Sequence, residues 1–190
     1  MSSILNSPAI QDAAVSITVP QYHLLGDAGA IDERTELIAG VIVRKLVKSP
    51  EHSWLVQQLA EWLRRVTPAG HVVRQEQPLT LASSEPEPDL AVVIGTPEDF
   101  RRAHPHTAEL VIEVAISSEP LDREKAAIYA AAGVAQYWLV LPESGVVDAY
   151  ADPAPGGYRT CQSARGDFSL SPLAHVAPVA VADLLAGKLA

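Results

Sequence analysis

Short apolar blocks at strand spacing alternate along the chain with longer stretches whose apolar residues recur at helical spacing. Glu36-Leu37-Ile38-Ala39-Gly40-Val41-Ile42-Val43 reads as a hairpin turning near Ala39-Gly40, within a structured stretch from Glu36 to Val47. Ser49-Pro50-Glu51-His52 has the marks of a helix start: a hydroxyl that can cap, a proline at the first position and an acid in the first turn. Leu55, Val56, Leu59, Trp62, Leu63 and Val66 then fall on one face, which predicts an amphipathic helix to about Val66, ended by Thr67-Pro68-Ala69-Gly70.

Strands are expected next at His71–Gln75 and at Pro78–Ala82, followed by a loop from Ser83 to Pro88. Asp89 to Gly95 reads as a short apolar strand, and Thr96 to Thr107 as a polar surface segment. Glu109 to Ala115 is apolar on both parities, the pattern of a strand covered on both faces. Asp122 opens a second helix, Arg123 to Ala132, which Gly133 closes. Gln136–Leu141 is a third central strand, stopped by Pro142 and continued as a hairpin by Val146–Tyr150. A loop from Asp152 to Gly157 leads to an outer strand, and Val181–Leu189 forms a short terminal helix. This order predicts an α/β (α+β) fold, a sheet with helices packed on it.

Composition bounds this picture. With 190 residues, 48% apolar and 19% charged, the chain fits a single domain, residues 16–190, behind a flexible tail of residues 1–15. No apolar run approaches the roughly 18–20 residues needed to span a bilayer, and the first residues lack the pattern of a signal peptide. The single cysteine, Cys161, excludes an intrachain disulfide framework and a multi-cysteine metal site, so a reducing cytoplasm is the expected setting. The net charge of −9 argues against coating nucleic acid through bulk electrostatics. It leaves room for an enzyme that grips a phosphodiester through a metal ion held by carboxylates.

The candidate chemistry lies in a few acids. Glu113 stands inside an apolar strand, where an unpartnered carboxylate costs several kcal/mol; a metal, a lysine or a bound proton would compensate it. A place at a solvated strand end would do so too. Asp89 follows Pro88 at the start of a buried strand; it is either a turn residue or the second acid of a pair able to hold a hard divalent cation. Lys125 shares a helix face with Ile128 and Tyr129, so its ammonium either reaches that site or pairs with Asp122 or Glu124 in solvent. His52, at a helix start, either positions water or phosphate or lies on the surface. His104 and His106 sit in a polar loop without evident partners. There is no phosphate-loop, nucleophile-elbow, zinc-protease or dinucleotide fingerprint.

Taken in order, Glu36-Leu37-Ile38-x-Gly40-x-Ile42-Val43, Ser49-Pro50-Glu51-His52, Pro88-Asp89, Glu113-Val114-Ala115, Lys125-x-x-x-Tyr129 and Gly133-Val134-x-x-Tyr137-Trp138-Leu139-Val140 resemble the Uma-two family, from about residue 20 to the C-terminus. The resemblance implies a restriction endonuclease-like fold of the PD-(D/E)XK superfamily, a central mixed sheet flanked by helices with an additional N-terminal hairpin. It implies a DNA endonuclease that hydrolyses phosphodiester bonds with Mg2+ or Mn2+, or else a module that kept the fold for DNA or protein binding without chemistry. Asp89 and Glu113 would be the metal-binding acids, with the carbonyl of Val114 as a further ligand. Lys125 would orient the attacking water or stabilise the phosphate, replacing the superfamily lysine whose usual place is Ala115. Glu36, His52, Asp122 and Tyr129 would line the pocket, and the protein would act on DNA as a homodimer. The chain departs from the family pattern at Thr35, Leu121 and Leu141, and in a short segment between Glu113 and Lys125; Asp122 stands beside the position where the family carries an aspartate.

Overall fold

The computed structural model describes residues 7–189. Within the segment read as a tail, Pro8–Ala13 form a short helix, α1, with no buried residue; residues 1–6 lie outside the described residues. A second helix, α2 (Val19–Asp27), starts with a capping box between Thr18 and Gln21. The helical pattern did not show it, because only Val19 in it is buried.

Strands β1 (Thr35–Ile38) and β2 (Val41–Arg44) form the antiparallel hairpin expected there. Ala39 and Gly40 both take positive φ, 49° and 78°, the twist a two-residue hairpin turn requires. Gly40 is also fixed by space: a Cβ there would lie 2.4 Å from the Cβ of Ser16. Helix α3 (Pro50–Val66) begins where its signals place it, with the Ser49 hydroxyl accepting from the His52 amide.

The main sheet has six strands in the order β3 (His71–Gln75), β4 (Leu90–Ile94), β5 (Leu110–Val114), β6 (Gln136–Leu141), β7 (Val146–Ala154) and β8 (Gly157–Arg165). Its one parallel pairing among the described residues joins β5 to β6, and α4 (Glu119–Ala131) makes the crossover. Two short strands, β9 (Ser169–Leu170) and β10 (Val179–Ala180), pair with each other, and α5 (Val181–Leu185) follows.

Alternation on the central strands divides the core into two layers. Leu90, Val92, Ile112, Val114, Trp138 and Val140 pack with Leu55, Leu59 and Leu63 of α3. The opposite parity, Ala91, Val93, Val111, Tyr137 and Leu139, packs with Ala126 and Tyr129 of α4. Glu113 has that second parity, so its side chain enters the α4 layer. The ring of Tyr129 lies 5.1 Å from that of Tyr137, and Tyr137 stacks on Tyr150 at 5.5 Å, a run of rings that fixes α4 over the sheet.

Several boundaries differ from the sequence reading. Pro78–Ala82 is not a strand. Leu79 and Leu81 point inward as a strand would place them, but their amides pair within their own loop, with Pro86 and Ser84. Helix α4 starts three residues before Asp122, so Asp122 is a buried residue of its first turn and does not open it. Strand β7 runs on through Asp152 to Ala154, and the terminal helix stops at Leu185.

Candidate active site

Asp89 immediately precedes β4, and Glu113 lies one residue before the end of the neighbouring β5. The antiparallel register sets Leu90 opposite Ile112, which brings the two acids to one end of the sheet. Their backbones and side chains interlock. The Asp89 amide donates to Glu113 Oε2 at 3.2 Å, and the Val114 amide donates to Asp89 Oδ2 at 2.8 Å. Both acids are nearly fully buried, at 5% and 4% exposure.

Each carboxylate has one oxygen held by buried donors. Asp89 Oδ2 also lies 3.0 Å from His52 Nε2, presented by the first turn of α3. Glu113 Oε1 accepts from Lys125 Nζ at 3.0 Å and from the Tyr129 hydroxyl at 2.9 Å, one helical turn apart on α4. The remaining oxygens are less committed. Among the described residues, Glu113 Oε2 has only the Asp89 amide, and Asp89 Oδ1 has only Lys48 Nζ, at 3.1 Å.

Lys125 is ringed by acids: Glu113, Asp122 at 3.2 Å and Glu36 at 3.3 Å. The hairpin supplies Glu36. Its second oxygen accepts from the Glu87 amide, which ties β1 to the segment leading into Asp89. All four acids, Glu36, Asp89, Glu113 and Asp122, are buried, and so is Lys125. One ammonium among three carboxylates leaves an excess of negative charge, which shows in the protonation of the group. Burial pushes the Glu113 carboxyl up to about 8, against the pull of Lys125 and with the push of Asp122, Asp89 and Glu36. Burial opposes the charge on Lys125, but Glu113, Glu36 and Asp122 outweigh it and raise its pKa, so the ammonium stays protonated. Burial and the neighbouring acids therefore favour the neutral form of Glu113. Asp89 is depressed despite its burial, because His52, Lys48 and the Val114 amide favour its charged form.

These side chains form the floor of an open cleft of ≈ 790 Å³. Glu36, His52, Asp89, Glu113, Asp122 and Lys125 all line it. Tyr129 and Val114 touch the carboxylates from behind, Tyr129 through its hydroxyl and Val114 through its amide. Arg34, Arg44, Lys45 and Lys48 also line the cleft, so cations stand beside an acidic floor.

A model for the family described as "Putative restriction endonuclease", Uma2, matches residues 19–180. The chain belongs to this family. The Uma2 match spans the hairpin, the main sheet and every residue of the cleft floor. Among solved structures, the chain is similar to one described as a "putative nuclease belonging to DUF820" from Anabaena variabilis, with a TM-score of 0.74 at 17% identity, over 87% of this chain and 98% of that one. That likeness establishes a nuclease-like fold, with its six-stranded mixed sheet and flanking helices. No curated protein matches the sequence.

Of the residues singled out in the sequence, Tyr129, expected to line the pocket, and Val114 lie behind the carboxylates and do not line the cleft, and two histidines lie elsewhere. His104 pairs with Arg74 Nη2 at 3.0 Å, and His106 lies 2.6 Å from the Thr80 carbonyl; both line a separate hollow. Leu121 lines the cleft where the family pattern has an aspartate, and its neighbour Asp122 provides the carboxylate. Sequence reasoning missed Lys48 and the cations around it. Lys45-x-x-Lys48 between a strand and a helix start was the available signal, but it belongs to no periodic element.

The donor set suits a hard divalent cation. Among the described residues, no three His, Cys, Asp or Glu side chains converge as a ready-made metal cage. What the floor offers is a pair of carboxylate oxygens, Asp89 Oδ1 and Glu113 Oε2, within a buried excess of negative charge. Mg2+ is commonly held that way, by one or two carboxylates and several waters. No helix of the described residues is long and apolar enough to cross a membrane.

Proposed function

We propose that this chain is a metal-dependent DNA endonuclease that hydrolyses phosphodiester bonds at the cleft, with Asp89 and Glu113 as the acids that hold Mg2+ or Mn2+. The observation that carries the reading is the pairing of the two acids: each has one oxygen fixed by buried donors and one left less committed, at the ends of adjacent strands. The carbonyl of Val114 would add a ligand beside them. When bound, the metal supplies Lewis acidity toward a phosphoryl oxygen and toward water.

The chain's own residues do the positioning. His52 and the Val114 amide fix the plane of Asp89, and Tyr129 and Lys125 fix that of Glu113. Lys125 keeps its proton, so it contributes charge to orient water and phosphate and is not a base. Glu36 and Asp122 hold the Lys125 ammonium over the floor. The family resemblance extends the proposal to a homodimer, which would present two clefts to one duplex; analytical ultracentrifugation checks it. The single cysteine supports the cytoplasm as its setting.

Supercoiled plasmid incubated with the protein and Mg2+ or Mn2+ tests this reading. Nicking or linearisation is expected, with loss in EDTA and in Glu113→Ala. A second reading, a nuclease fold retained for binding alone, is favoured by the protein cations already seated on both acids. No cleavage, together with no heat of Mn2+ binding, would establish that second reading in place of the first.

A further inference from the structure

Lys48 lies beyond β2 in the segment 45–49, which has no regular structure and lines the cleft along its whole length. Its ammonium is 3.1 Å from Asp89 Oδ1 and 2.8 Å from Glu76 Oε1. Asp89 Oδ1 is the oxygen that His52 and the Val114 amide leave to other partners. The geometry points to Lys48 as a displaceable cation: it occupies the Asp89 oxygen that a divalent ion needs and, when that ion binds, turns to a phosphate of the nucleic acid in the cleft. This inference rests on the reading of the cleft as a metal-dependent nuclease, and it adds a link between metal and substrate binding.

The two states follow from elementary electrostatics. An ammonium and a divalent cation on one carboxylate oxygen repel each other. One of them leaves, and Lys48 is the mobile one. Its side chain is 36% exposed, as is much of its other partner, Glu76 at 40%. Arg34, Arg44 and Lys45 line the same cleft, and a polyanion there would gather the freed charge with theirs. By linkage, metal then favours nucleic acid and nucleic acid favours metal.

The test compares the wild-type protein with Lys48→Met and with Lys45→Met, which removes the same charge from the same segment but pairs with Glu87 and not with Asp89. Mn2+ alone is titrated by calorimetry. Lys48→Met is expected to bind it about fivefold more tightly, since a competing ion pair of ordinary strength is gone; Lys45→Met should stay within about twofold. A short fluorescent DNA duplex is then titrated with Ca2+ replacing Mg2+, and again in EDTA. Lys48→Met should weaken DNA binding about fivefold with metal and hardly at all in EDTA, where wild-type Lys48 is held by Asp89. Equal or weaker Mn2+ binding by Lys48→Met would overturn the inference. So would the same gain in Lys45→Met, or a DNA defect of equal size in EDTA. Failure of the wild-type protein to bind Mn2+ would instead overturn the metal-nuclease reading itself. Far-ultraviolet circular dichroism of each variant confirms that the fold is retained.

Discussion

Lys125 and Lys48 each contact one of the paired acids, Glu113 and Asp89, in different surroundings. Lys125 stands on a helix, its side chain 6% exposed, within 3.3 Å of three carboxylates that are themselves buried. Lys48 stands on an irregular segment at the cleft surface, shared between one buried and one exposed acid. A buried ion cluster is expensive to break, because each remaining charge is left without water or partner. A half-exposed pair is held weakly, because solvent replaces the contact. The acid pair is thus held by a fixed cation on Glu113 and by an adjustable one on Asp89.

The sharpest way to break this comparison is to remove each lysine. Lys125→Met should destabilise the metal-free protein by about 3–5 kcal/mol, seen as a fall of roughly 10 °C in Tm. A fall as small as that for an exposed lysine would remove the contrast. The next largest effect concerns pH. The folded Glu113 carboxyl titrates near 8, against an ordinary value of 4.5. Between these values the folded state binds the extra proton, so this group's contribution to stability is full below about pH 4.5 and is lost as pH rises through about 8. Thermal melts in EDTA should show Glu113→Gln gaining on the wild-type protein across that window, by at most about 1.4 kcal/mol per pH unit. A constant difference would mean that Glu113 is ionised throughout.

Tyr129→Phe keeps the ring against Tyr137 and removes only the hydroxyl on Glu113. With the Glu113 carboxyl pushed up to about 8, urea unfolding near pH 7 should report a loss of about 0.5–1.5 kcal/mol, the range for a hydrogen bond between neutral groups. Lys48→Met should have the smallest effect, under about 1 kcal/mol in the same assay. A larger loss would make Lys48 part of the fold and not a movable cation.

Much of this arrangement was legible in the sequence. Glu113 stood out because a carboxylate in a doubly covered strand needs a partner, and the helical spacing of Lys125 and Tyr129 put both of them on the face that provides one. The boundaries of α3 followed from Ser49 and Pro50. Other features depended on partners distant in the chain. Pro78–Ala82 alternates like a strand, but the Leu79 and Leu81 amides find acceptors in a tight loop, at Pro86 and Ser84, which alternation cannot reveal. Helix α2 buries almost nothing, so its apolar pattern was silent, although Thr18 and Gln21 carried its cap. Lys48 acquires its meaning from Asp89, 41 positions later. A lysine beside a strand end has no local pattern that sets it apart from any solvated one.

The parallel pairing of β5 with β6 bears on when the protein becomes competent during its own synthesis. Parallel neighbours cannot form from a tight turn; the whole crossover through α4 must emerge first. Until Gln136–Leu141 has been made, β5 lacks one of its two flanking strands, and Glu113 lacks the helix position that carries Lys125 and Tyr129. A nascent chain ending before that point holds Asp89 and Glu113 on β4 and β5, but has no β6 to seat α4 beside them. The acids can meet as soon as β4 pairs with β5, but α4 and its ammonium are seated over them only after the crossover has emerged and β6 has docked.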